Sequence, residues 1–194
     1  MPSGAVRGKV CCLASGMAIN PSVLVEEIEM LKRAGKRFKL LIDPRAQIIM
    51  PYHILLDGAK EKSAKKKIGT TKRGIGPCYA DRAFRSGIRF CEFTEPRIFK
   101  ERLHAALPFK RRELASYGIR CPSEKKILKE FLPLARKLKN YEADVSLFIQ
   151  KALKQKKRIL LEGAQGFFLD NDFGTYPYVT SSHPITGGAL IGVG

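Results

Sequence analysis

Short apolar runs that alternate with stretches of helical period constrain this chain more than any other feature. Lys9 to Leu13, Phe38 to Ile42 and Arg158 to Glu162 read as buried strands, and a further apolar run, Ile48 to Met50, lies between an Asp43-Pro44 turn and Pro51. Between the first two strands, Asn20 is placed to cap a helix and Pro21 to open it. Leu24, Ile28 and Leu31 then recur at helical spacing, and Gly35 supplies the stop. Strand, helix and strand in that order form a unit that needs a parallel sheet covered by helices, so the expected fold class is α/β with a mainly parallel sheet.

Further helices are expected over Tyr52 to Lys67, with a basic, exposed latter half, and over Ala80 to Ser86, Ile98 to Leu107, Glu124 to Leu138 and Tyr141 to Lys157. Pro133 should kink or break the fourth of these, because it removes a backbone donor and its ring crowds the preceding turn. In the fifth, Val145, Phe148, Ile149 and Leu153 share one side. At 194 residues the chain is long enough for one domain, or one and a half, with a sizeable core.

Composition narrows the function classes. No run approaches the ~18 apolar residues of a membrane span, and the start, MPSGAVRGKV, has no apolar segment of a secretion signal, so a cytoplasmic location is expected. Cys11, Cys12, Cys78, Cys91 and Cys121 contain no CxxC pair, and His53, His104 and His183 are scattered; the thiols read as reduced and structural, and no metal site is assigned. The formal charge of +18, from 36 basic against 18 acidic residues, calls for an anionic partner. The basic residues cluster as KEKSAKKK (60–67), Lys110 to Arg112 and KALKQKKR (151–158), without interleaved aromatics. Such runs are solvated helix faces rather than base-stacking platforms, so nucleotide phosphate is a more economical partner than nucleic acid.

Two segments carry candidate chemistry. Gly69 to Pro77, GTTKRGIGP, combines glycines that allow close backbone approach with two threonines and two cations, as phosphate binding requires. Leu161 to Ser182, LEGAQGFFLDNDFGTYPYVTSS, follows an apolar run with glycines, acids and neutral donors: Gln165, Thr175, Thr180, Ser181 and Ser182. Neither contains a Walker A motif. Taken singly each is compatible with an ordinary loop.

Together, GTTKRGIGPCYADRAFRSGIR and LEGAQGFFLDNDFGTYPYVTSSHPITGG closely resemble the signatures of the adenylosuccinate synthetase family, and PSGAVRG and GMAINPSVLVEEIEML resemble it more loosely. The resemblance implies part of a large, mainly parallel central sheet flanked by helices, in a P-loop NTPase-like synthetase fold that is incomplete here. It implies ligation of IMP and aspartate with GTP and Mg2+, the committed step from IMP to AMP, by a homodimer. GTP phosphorylates the purine 6-oxygen, turning a poor leaving group into a good one, and the aspartate amine then attacks carbon 6. By resemblance, Thr71 and Thr180 contact the IMP phosphate, Gln165 lies near the 6-oxygen, and Arg85 reaches the IMP of the neighbouring subunit. Arg73 is a looser loop contact. The chain then divides into a strand and helix portion (1–68), the first IMP-binding loop with the dimer arginine (69–90), a mostly helical insert (91–157), and a strand with the second IMP-binding loop (158–194).

Matched against the family, the chain has no WGDEGKGK-type loop and no following glycine-histidine segment, which carry the reacting acid, lysine and histidine and a magnesium contact. It also lacks the later arginine-rich aspartate loop and the guanine-recognition segments. The main ligands of Mg2+ and GTP are thus not expected in this chain, which reads as an internal piece, inactive alone. Lys72 stands where glycine is usual, Phe173 where histidine is common, and His183 in place of asparagine. Alternatives are a phage-type synthetase using a guanine-nucleotide acceptor, a non-catalytic nucleotide-binding or dimerising protein and, last, a basic nucleic-acid-binding module.

Overall fold

The computed structural model describes residues 1–194. The first strand, β1 (Val10–Leu13), runs parallel to β3 (Lys39–Ile42), with Val10 opposite Lys39 and Leu13 opposite Ile42. A second short ladder follows along the same two segments, β2 (Ala18–Ile19) beside β4 (Gln47–Ile48), also parallel. Helix α1 (Pro21–Arg33) makes the crossover. Its start is set as its sequence demands: the Asn20 side chain accepts hydrogen bonds from the Ser22 and Val23 amides at 3.1 and 3.2 Å. Leu24, Val25, Ile28 and Leu31 are buried, and Gly35 turns the chain at φ +68°. Replacing Asn20 with Ala leaves those amides unanswered and is expected to cost about 1 kcal/mol in urea unfolding.

The core lies between this βαβ unit and a helical body. Helix α2 (Pro51–Ser63) is followed by α3 (Ile75–Phe84), α4 (Phe90–Thr94), α5 (Pro96–Ala115) and α6 (Glu124–Leu138). Phe93 packs edge-on against Phe99 and Phe131, with ring centroids 5.2 and 6.3 Å apart, and Leu103, Leu107, Leu114 and Ile127 close around them. The sheet is smaller than expected: two pairs of parallel strands rather than one broad sheet.

Several boundaries differ from the sequence reading for identifiable reasons. Pro133 does not break α6, and α5 continues through Pro108 to Ala115, well past Leu107. Both prolines are exposed, so the carbonyls they leave unpaired face water, while Phe131, Ala135, Leu138 and Leu114 hold the helices down by burial. Helix α2 stops at Ser63, short of Lys67, and its latter half is not wholly exposed, because Ala59 and Glu61 are buried. Helix α7 (Val145–Lys154) is shorter than expected and buries Val145 and Ile149 only; Leu153 faces solvent.

Arg158 to Glu162 is not a strand, and Ile159, Leu160 and Leu161 are exposed, Leu160 by 84%. An apolar run becomes a strand only where another strand pairs with it, and neither parallel pair, β1 with β3 or β2 with β4, takes up this segment. Glu162 instead tethers the segment to the start of the chain, accepting from the Ser3 amide and hydroxyl at 3.0 and 2.7 Å. The apolar end of the chain forms a last helix, α8 (Thr186–Val193), anchored where the Gly192 carbonyl accepts from the Ser15 amide and hydroxyl. No helix is long and apolar enough to cross a membrane.

Candidate functional site

The first glycine loop leaves α2 and ends at Gly74, not Pro77. Gly74 enters α3 in the left-handed region at φ +79°, and Ile75 to Pro77 form the first turn of that helix. Proline is tolerated there because first-turn amides have no partner inside the helix. Thr71, Lys72 and Arg73 are exposed at the loop tip. The Thr70 hydroxyl is shielded from solvent and has no hydrogen-bond partner. Lys72 adopts φ +55°, a left-handed conformation in which glycine is at ease and lysine is strained.

The second loop is held by its own backbone. Phe167 to Leu169 form a single 3-10 turn, the Thr180 amide donates to the Leu169 carbonyl at 2.9 Å, and the Thr175 amide to the Phe168 carbonyl at 3.0 Å. Buried Asp170 accepts from the Asp172 and Phe173 amides at 2.9 and 3.1 Å, and the His183 imidazole lies 3.4 Å from its second oxygen. Burial would raise the Asp170 pKa, but these two amides and His183 outweigh it and hold the carboxyl below its usual range. Phe173 is exposed, and His183 is the imidazole that meets the acid pair.

The two loops meet at the start of α3. The Ser181 hydroxyl abuts Gly76, 3.2 Å from where a Cβ would stand, and the Lys66 ammonium lies 5.8 Å from the centre of the Tyr178 ring. Thr180, adjoining Ser181, and the Thr71 loop thus flank one helix N-terminus, where free amides and the helix dipole favour an anion. Arg85 is not part of this cluster. It caps the far end of α3 in a left-handed conformation at φ +62°, roughly 15 Å away for a ten-residue helix, and is exposed. Gln165 is also exposed, in the irregular segment before the 3-10 turn.

Comparison with known proteins shows the family. The family model described as adenylosuccinate synthetase matches residues 1–194. The chain belongs to the adenylosuccinate synthetase family. It is 47% identical over 198 residues to the adenylosuccinate synthetase of Acetivibrio thermocellus, covering 100% of this chain and 47% of that protein. To the enzyme of Clostridium acetobutylicum it is 44% identical, covering 99% of this chain and 46% of the relative. Its fold matches the structure of fully ligated adenylosuccinate synthetase from Plasmodium falciparum with a TM-score of 0.83 and 37% identity, over 94% of this chain and 43% of that one. The chain therefore spans about half the length of the adenylosuccinate synthetases it matches.

Beneath the first loop lies a buried polar cluster that the sequence reading missed. The His53 Nδ1 accepts from the Met50 amide at 3.0 Å, which assigns the proton to Nε2, and Nε2 donates to Asp81 at 2.9 Å. The Lys110 ammonium donates to the other Asp81 oxygen at 2.6 Å. Burial, against the pull of Asp81, keeps the His53 pKa below its ordinary value. Burial would raise the Asp81 pKa, but His53 and Lys110 outweigh it and lower the value. The cluster ties α2, α3 and α5 together behind Gly74. No spacing signal announces it, because its members are 28 and 29 residues apart. The five cysteines are free, and burial pushes the Cys78 thiol up to about 12, so its reactive thiolate form is suppressed.

Proposed function

We propose that this chain supplies the IMP-binding wall of a cytoplasmic, homodimeric adenylosuccinate synthetase. In this reading Thr71 and Thr180 contact the IMP phosphate, Gln165 addresses the purine 6-oxygen, and Arg73 screens charge at the loop tip. The observation that carries it is the docking of the second family-signature loop where the first one enters α3, through Ser181 on Gly76. Arg85, exposed at the opposite end of that helix, is read as serving the neighbouring subunit's site. A guanidinium given across a dimer suits this chemistry, since its planar fork pairs bidentately with phosphate. Positioning and charge neutralisation are what a reaction joining three anionic species requires.

Mg2+ and GTP, the family's implied cofactor and co-substrate, do not find a fitting site among these residues. One group of metal-ligand side chains converges, Asp170, Asp172 and His183, with ligand atoms within 4.8 Å of one another. One Asp170 oxygen is committed to its own turn, and an imidazole with two carboxylates suits a transition metal better than oxygen-seeking Mg2+. The 194-residue chain alone is therefore expected to form no adenylosuccinate.

Calorimetric titration tests the reading. IMP is expected to bind, and Arg85→Ala or Thr180→Ala to weaken binding by about 10- to 100-fold, the loss of one charge-assisted hydrogen bond of about 1.5–3 kcal/mol. If IMP binding is indifferent to both substitutions, or if the chain binds mixed-sequence DNA tightly and ignores IMP, the reading is wrong.

A further inference from the structure

Helix α2 buries two carboxylates one turn apart, Asp57 and Glu61, which are only 6% and 7% exposed. Buried acids are normally answered by cations. These two accept hydrogen bonds from backbone amides at the two ends of the first glycine loop: Gly69 donates to Glu61 Oε1 at 2.9 Å, and Gly74 donates to Asp57 Oδ2 at 2.8 Å. Residues four apart on a helix stand on one face, about 6 Å apart along the axis. The pair therefore forms a rigid two-point clamp whose jaws hold the loop's entry and exit.

We propose that Asp57 and Glu61 are positioning residues for IMP, fixing the span from Gly69 to Gly74 so that Thr71 and Arg73 stand ready for the phosphate. The inference rests on the reading of Thr71 as a phosphate contact. Three observations support it. The acceptors are charged, and an ionised acceptor binds an amide about twice as strongly as a neutral one. The loop between the clamped ends contains left-handed Lys72 and the shielded, unpartnered Thr70 hydroxyl, so its arched shape is held from outside rather than by bonds of its own. The carboxylates spend their charge on the amides at the loop's ends, while Lys66, Lys67, Lys72 and Arg73 are exposed around the tip. A loop already held in its bound form loses less freedom when a ligand arrives.

Titration of the 194-residue chain with IMP and with inosine, which lacks the phosphate, tests this together with melting temperature and hydrogen exchange at Gly69 and Gly74. Asp57→Ala and Glu61→Ala are expected to weaken IMP binding about tenfold, leave inosine binding unchanged and speed exchange at the two glycine amides. Asp57→Asn and Glu61→Gln, which keep a weaker, neutral acceptor oxygen, are expected to recover part of the IMP affinity. If Thr71→Ala weakens IMP but the alanine variants at 57 and 61 leave it intact, or weaken IMP and inosine equally, the clamp is overturned and the phosphate reading stands. If the native chain does not prefer IMP to inosine, the phosphate reading falls and the clamp with it. Should Asp57→Ala fail to fold, Glu61→Ala and Asp57→Asn still decide between these outcomes.

Discussion

Asp81→Ala is expected to destabilise the fold by about 3–5 kcal/mol, because it leaves the buried Lys110 ammonium with only the longer Glu113 contact at 3.4 Å in place of its 2.6 Å partner and removes the acceptor of His53 Nε2. Against a typical total of about 5–15 kcal/mol, that loss brings the chain close to unfolding at room temperature. Urea unfolding measures it directly, and the double variant Asp81→Ala/Lys110→Met should recover much of the loss by removing the stranded charge. The pH dependence follows from the two lowered pKa values. His53 is kept neutral in the fold, so the unfolded chain binds its proton first and stability begins to fall as pH drops below about 6.5. Asp81 contributes fully above its unfolded value of about 3.9, and that contribution disappears as pH falls through its lower folded pKa. The native chain should therefore lose stability in two stages on acidification, and in the Asp81 variant the second should be smaller, since Asp43, Glu113 and Asp170 are also held below their usual range. An Asp81→Ala chain within about 1 kcal/mol of the native one would show that the cluster is ornamental to the fold.

That cluster also marks where sequence reasoning stops. Helix α1 was readable because every signal is local: Asn20 caps, Pro21 opens, Leu24, Ile28 and Leu31 repeat, and Gly35 stops. The strands β1 and β3 were readable for the same reason. Arg158 to Glu162 has an equally good strand composition, but a strand is a property of two segments, and nothing in the apolar run itself reports whether a partner is beside it. Pro108 and Pro133 mislead in the opposite sense, since a local cost on a solvent-facing side is overridden by burial on the other. In the candidate site, the two loops were visible from their glycines and hydroxyls. The carboxylates that hold the first of them were not, because Asp57 and Glu61 look like ordinary members of a charged helix until their burial is known.

Gly74→Ala is expected to be the most damaging single change in the first loop, and a comparison with Gly35→Ala shows why. Both glycines have positive φ, +79° and +68°, so alanine pays a similar conformational cost of about 1–2 kcal/mol at either position. At Gly35 the new Cβ meets nothing within 4 Å. At Gly74 it would stand 2.8 Å from the Ile54 amide nitrogen and 2.9 Å from the His53 carbonyl carbon, backbone atoms that no rotamer change moves aside. Relieving that overlap adds about 1–3 kcal/mol of packing strain, for a total of about 2–5 kcal/mol against 1–2 at Gly35. The direction of escape matters more than the sum. Moving Gly74 away from α2 pulls its amide off Asp57 and shifts the loop's exit, so Gly74→Ala should weaken IMP binding under conditions where the chain remains folded. Gly35→Ala should lower the unfolding midpoint without touching affinity. Equal effects of the two substitutions on IMP titration would break the link between the seat of this glycine and the placement of Thr71.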